Sequence, residues 1–244
     1  MSNAALEFKR ELEIFRTESD AAVQFLYAWQ TVNAVAGTDS SVHSALNKAP
    51  LFWNTNLGAL QAATLLTLGR MFDPDPDNHS ITRLLGLAHR NLQLFSKEAL
   101  AERKRELSPN ADEWLPEYLN GVYVPSSDDF RKLKKYVATR RRTYEENYRP
   151  LRHQYFAHRS ASESSDVAAL FAKTNIRELQ QLLTFLRHLH EALWQLFNNG
   201  HKPTLRPARY SVNRMRELPS PSPRQAALQE RIIHETEQLV RSLG

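Results

Sequence analysis

Cysteine is absent from the 244 residues, and glycine is scarce at 7. Without cysteine there is no disulfide framework, no thiolate metal ligand and no cysteine nucleophile. A glycine share of about 3%, against a usual ~7%, argues against glycine-rich phosphate loops, hairpin-rich β folds and collagen-like arrays. No run of about 18 uncharged apolar residues occurs, so nothing reads as a membrane span. The segment Met1-Ser2-Asn3-Ala4-Ala5-Leu6-Glu7-Phe8 has neither a basic leader nor an apolar stretch, and a cytoplasmic protein is expected. There is no His-Glu-x-x-His pair and no acidic metal box. Neither a metal nor a cofactor is expected.

What is present points to helices. Apolar residues make up 41% of the chain, enough for a core. Phe8, Leu12 and Phe15, then Ala22, Phe25, Leu26, Trp29 and Val32, recur at three- and four-residue steps and predict a helix over 6–36. A second helix is expected after Thr38-Asp39-Ser40-Ser41, continuing past Pro50 to Phe72 and stopped by the Asp-Pro repeats at 73–78. Ser80 is a candidate N-cap for a third helix through Phe95. Pro109, Pro116, Gly121 and Pro125 mark 108–127 as a loop insertion with room for one short helix. Ser127 or Asp128 caps a basic helix to about Tyr148, and a further turn or two carries 151–158. The sharpest period is Ile176, Leu179, Leu183, Leu186, His190, Leu193 and Phe197, a core seam holding one histidine. No β-period run appears. The fold class is all-α, organised as a helical bundle over 1–200, a basic proline-containing linker over 201–223 and an amphipathic helix over 224–244.

Charge is concentrated. The formal total is +5, yet Arg131, Lys132, Lys134, Lys135, Arg140, Arg141, Arg142, Arg149, Arg152 and Arg159 face only Glu145 and Glu146 within 131–159. That stretch alone is +8. A one-signed run of this kind favours a polyanion, because each neutralised phosphate releases counterions. The alternative is a solvated helix face.

Within the run lies Arg149-Pro150-Leu151-Arg152-His153-Gln154-Tyr155-Phe156-Ala157-His158-Arg159. Arg152 and His158 are separated by five residues, and a polar His153 follows the arginine. On this segment the chain resembles the HEPN superfamily, whose signature is an arginine, four to six residues and a histidine. Arg-His-Gln-Tyr-Phe-Ala-His-Arg also resembles the abortive-infection, AbiU-like branch. So does Leu68-Gly69-Arg70-Met71-Phe72-Asp73, followed by Ser80-Ile81 and Leu84-Leu85. The 176–197 helix completes a resemblance that covers about residues 5–200. The same spacing recurs at Arg83 and His89, but Leu84 follows that arginine inside an apolar run, and it is read as coincidence.

On a regular helix six residues turn through 600°, leaving Arg152 and His158 about 120° apart. One chain would not bring them readily to one phosphate, whereas two copies about a two-fold axis would place motif against motif. The resemblance implies a HEPN-like helical bundle with a C-terminal helical extension. It further implies a homodimer that cleaves RNA without metal, in phage defence or a toxin–antitoxin type system with an antitoxin-like protein partner. Arg152, His158 and His153 are then the catalytic candidates, and Arg140, Arg141, Arg142, Arg149 and Arg159 the RNA-guiding ones. Tyr155 reads as a core aromatic, with base stacking as its other role. The alternative is a non-catalytic HEPN-like module that binds nucleotide, nucleic acid or protein.

Overall fold

The computed structural model describes residues 2–157, 169–205, 211–217 and 226–244. Among these residues there is no β-strand, and the fold is all-α. The helices are α1 (Asn3–Ala36), α2 (Ser40–Leu46), α3 (Pro50–Met71), α4 (Ile81–Arg90), α5 (Lys97–Leu107), α6 (Ala111–Asn120) and α7 (Ser127–Asn147). The short α8 (Arg149–Leu151) follows, then α9 (Ile176–Asn199), α10 (Val212–Glu217) and α11 (Leu228–Arg241). No described helix is long and apolar enough to cross a membrane.

Local chemistry accounts for most boundaries. Asp39 caps α2 by accepting from the Ser41 and Val42 amides, Ser80 caps α4 through the Arg83 amide, and Ser96 caps α5 through Ala99. Pro50 corrects the expectation of one helix from 40 to 72. Its ring disfavours helix in the residue before it and it carries no N–H. The chain therefore turns at 47–49 and restarts with proline in the first position of α3. The stretch expected as a loop after residue 108 contains the ten-residue α6, which tolerates Pro116. A short helix, α10, lies in the stretch read as a linker. Gly200 ends α9 at φ +63°, the only positive φ among the described residues, as a C-terminal glycine commonly does.

The chain divides into two compact units. One comprises Met1–Thr17, Arg70–Glu146 and Phe185–Pro207. Its centre is aromatic: Phe8 lies 5.4 Å from Phe95 and 5.0 Å from Phe197, and Phe95 lies 5.5 Å from Phe130. Arg103 of α5 is buried there. It donates to the Leu94 carbonyl at 2.9 Å and the Phe197 carbonyl at 2.7 Å, and sits 4.1 Å above the Phe197 ring. Burial pushes its pKa down to about 10. Arg83 and His89 are engaged within the same unit. Arg83 pairs with Glu7 and Glu11, while His89 accepts from Lys134 and stacks on Phe130.

The other unit comprises Glu18–Gly69, Asn147–Thr184 and Ala208–Gly244. Val32, Val35, Val42, Leu46 and Val240 form its apolar cluster, with Ala36, Trp53 and Leu57 packed on it. Arg241 of α11 clamps this cluster's edge, reaching Asp39 at 2.7 Å and Glu237 at 2.9 Å. The candidate motif belongs to this second unit.

Candidate functional site

The motif begins where α7 fails to continue. Pro150 has no N–H to donate back to Glu146, so the helix breaks after Asn147 and resumes as α8. From Arg152 to Ala157 the chain then winds as a π-helical turn. The expectation of a regular helix through the motif is corrected here, since i→i+5 winding widens the turn and the 100° step no longer applies. Such π turns occur frequently at functional sites.

Tyr148 anchors this turn. Its hydroxyl lies 2.8 Å from the Asn175 carbonyl and 3.1 Å from Glu178 Oε2, and accepts from the Asn175 amide at 3.1 Å. Asn147 donates to the same Glu178 oxygen at 3.1 Å. Burial and the neighbouring Glu178 carboxylate push the phenol well above its ordinary pKa, so it remains a hydroxyl. The Tyr148 carbonyl accepts from the Arg152 amide at 2.9 Å. The start of the motif is thus tied through Tyr148 to the start of α9.

Arg152 and His153 are brought together. Arg152 Nη2 donates to His153 Nε2 at 2.9 Å. A guanidinium only donates, so Nε2 is the accepting nitrogen and the proton of a neutral His153 sits on Nδ1. Arg152 is half-buried, and its Nε makes no hydrogen bond among the described residues. Its side chain rests against Gly69 of α3. A Cβ built on Gly69 would overlap Nη1 and lie 2.8 Å from Cδ and 2.9 Å from Cζ. Composition and spacing did not point to Gly69 as a site residue. The available signal was a glycine inside a helix beside Arg70, in a segment already noted for its resemblance.

The remaining candidates are distributed differently. His158, Arg159 and the side chain of Tyr155 lie outside the described residues. Arg140 is half-buried with its guanidinium 6.0 Å from the Phe185 ring centre. Arg141 donates to the Thr82 hydroxyl, while Arg142 and Arg149 are exposed. Three consecutive helical residues fan through about 200°, so the Arg140–Arg142 run does not share one face. The outward face of α7 carries Arg131, Lys132, Lys135 and Arg142, all exposed.

A cleft of about 70 Å³ opens one helical turn before the Arg152–Gly69 contact, lined by Leu65 of α3, Tyr148, Leu151 and Trp29 among others. That is about half the ~150 Å³ of an engineered cavity that holds benzene. Among the described residues, no group of three His, Asp or Glu side chains is placed to hold a metal.

No curated protein and no solved structure matches the chain. The family model HEPN_AbiU2, described as AbiU2, matches residues 5–216, a span that includes the π turn, Gly69 and α9. The chain belongs to this abortive-infection family of the HEPN superfamily.

Proposed function

We propose that this protein is a metal-independent RNA endonuclease acting in phage defence or a toxin–antitoxin type system, with a composite site built by two copies of the Arg152–His158 motif. The observation that carries the reading is the Arg152–His153 pair, fixed in a π turn with a donor of Arg152 unused among the described residues.

In the reaction the ribose 2′-oxygen attacks phosphorus while a histidine removes its proton. The bond to the 5′-oxygen breaks, and a histidine returns a proton to that leaving oxygen. The products are a 2′,3′-cyclic phosphate and a 5′-hydroxyl. His158 is the acid/base in this scheme, since imidazole is the side chain whose unperturbed pKa, near 6.5, suits proton transfer at neutral pH. Arg152 clamps the non-bridging oxygens as charge builds on them. His153 orients Arg152 through Nε2.

Two features support a partner and an RNA track. From Pro50 to Gly69 there is no charged residue, yet Leu51 and Phe52 are 84% and 60% exposed. An uncharged, exposed helix face of this kind suits a second copy or an antitoxin-like protein. Arg142 and Arg149, being exposed, are the better RNA guides of the five candidates, with Arg159 outside the described residues.

The test is cleavage of single-stranded RNA by purified wild type, Arg152→Ala and His158→Ala, with end-group analysis of the products. Wild type is expected to leave cyclic phosphate ends, and each variant to cleave at least ~100-fold more slowly. Identical ladders from all three proteins would sink catalysis and leave the binding-module reading.

A further inference from the structure

We infer that Gly69 is the positioning residue for Arg152, and that its missing side chain is the seat which aims the guanidinium. This rests on the reading that Arg152 works on the phosphate.

Three observations carry it. Gly69 lies inside α3, which continues to Met71, and it is not the residue with positive φ. Its freedom to adopt left-handed backbone is therefore unused. A glycine at such a helical position weakens the helix relative to alanine, so something else keeps it there. That something is space: a single Cβ would overlap Nη1 of Arg152 and crowd Cδ and Cζ at 2.8 and 2.9 Å. Close approach of another group is the second use of glycine, besides its backbone range.

Gly58 supplies the contrast on the same helix. A Cβ there would meet nothing within 4 Å. The two glycines share an element and a helical backbone, and only one has a neighbour in the space a side chain would fill.

The seat also fixes what Arg152 can reach. The guanidinium is held between the α3 backbone at Gly69 and the His153 ring, with Nη2 bonded to Nε2. Adding a methyl at 69 displaces the far end of a flexible side chain, which moves without unfolding the helix. The consequence falls on the placement of Arg152 and on its bond to His153. The segment Leu68-Gly69-Arg70 acquires a physical role in this way: Leu68 is fully buried, Arg70 is exposed, and the glycine between them receives the arginine from the motif.

The experiment compares wild type, Gly69→Ala, Gly58→Ala, Arg152→Ala and the Gly69→Ala/Arg152→Ala double variant. Readouts are circular dichroism, kcat and KM for single-stranded RNA cleavage, and the ¹⁵N shift of His153 Nε2. Gly69→Ala is expected to keep its helicity, lose at least tenfold in kcat with KM changed less than threefold, and shift the His153 signal. Gly58→Ala, on the helix face offered above to a second copy, is the control for helicity and the His153 signal only, and should match wild type in both. In the Arg152→Ala background the Gly69 change should add less than a twofold effect. An active Gly69→Ala beside an inactive Arg152→Ala overturns the seat and leaves the nuclease reading standing. So does a full additional loss in the double variant. An Arg152→Ala protein as active as wild type sinks the nuclease reading instead. The seat is then decided by the His153 signal, and an unchanged shift in Gly69→Ala overturns it.

Discussion

Two arginines, one in each compact unit, are held in opposite ways. Arg103 is 6% exposed, with Nη1 and Nη2 each donating to a backbone carbonyl and its plane over Phe197. Both carbonyls close the ends of helical segments, one in the 3₁₀ turn before Ser96 and the other in the last turn of α9. Without Arg103 they would be buried acceptors with no donor. Arg152 is half-buried, and the one side-chain hydrogen bond it makes among the described residues goes to the neighbouring His153. Nε is unbonded in both among the described residues; Arg103 commits Nη1 and Nη2 to backbone carbonyls, whereas Arg152 is braced by a ring and a glycine. Burial alone does not separate a structural arginine from a working one. What separates them is what each donor is bonded to.

The strongest way to break this comparison is to truncate Arg103. Arg103→Ala leaves two carbonyls unsatisfied at roughly 1–3 kcal/mol each and removes the packing on Phe197. A loss of about 3–5 kcal/mol is expected in guanidinium unfolding at neutral pH. Arg103→Lys should recover only part, because an ammonium lacks the planar fork that spans both carbonyls. Arg152→Ala in the same assay should stay within about 1 kcal/mol of wild type. If Arg152→Ala proved as destabilising as Arg103→Ala, the distinction would fail.

A second contrast lies within the basic stretch. Arg140 and Arg141 face Phe185 and Thr82, whereas Arg142 and Arg149 face solvent. Replacing Arg142 and Arg149 together by Ala should weaken single-stranded RNA binding about tenfold at low salt. It should also flatten the log–log salt slope by about 1.4, two contacts at ~0.7 each. Replacing Arg140 and Arg141 should lower the melting temperature while leaving the slope of the folded protein unchanged. Equal slopes for the two pairs would show that the basic helix does not discriminate by exposure.

The period of α1 and α9 was legible in the sequence because three- and four-residue steps of large apolar side chains survive folding unchanged. Phe8, Leu12, Leu183, Leu186 and Phe197 are buried as that period requires, whereas Ile176, expected to open the core seam of α9, is 48% exposed and Leu179 half-buried. Pro50 announces the break between α2 and α3, but the apolar residues on either side keep a helical step that hides it. The helix α5 leaves little apolar period in the sequence because Lys97–Leu107 is mostly charged, and only the Ser96 cap advertises it. At the motif the residue types were readable and their arrangement was not. Pro150 signals a break, but π winding beyond it depends on the Tyr148 anchor to Asn175 and Glu178, more than twenty residues further on. The Gly69 contact joins residues from two distant stretches of the chain, and no local pattern encodes that pairing.

The smallest expected effect tests whether the Arg103 unit commits its other polar groups in the same manner. Asp129, in the first turn of α7, accepts from the Tyr123 hydroxyl at 2.8 Å and from the Ser126 amide and hydroxyl at 2.8 and 3.0 Å. Partial burial raises its pKa, but those donors and the Lys132 charge outweigh it, and the carboxyl stays below its ordinary value. A carboxyl that ionises more easily folded than unfolded stabilises the protein above the unfolded pKa, near 3.9. It loses that contribution as the pH falls through the lower folded value. Asp129→Asn should therefore cost up to about 1 kcal/mol at pH 6, and the gap to wild type should narrow toward pH 3. The same gap at both values would mean that the loop before α7 is held by something other than this carboxylate.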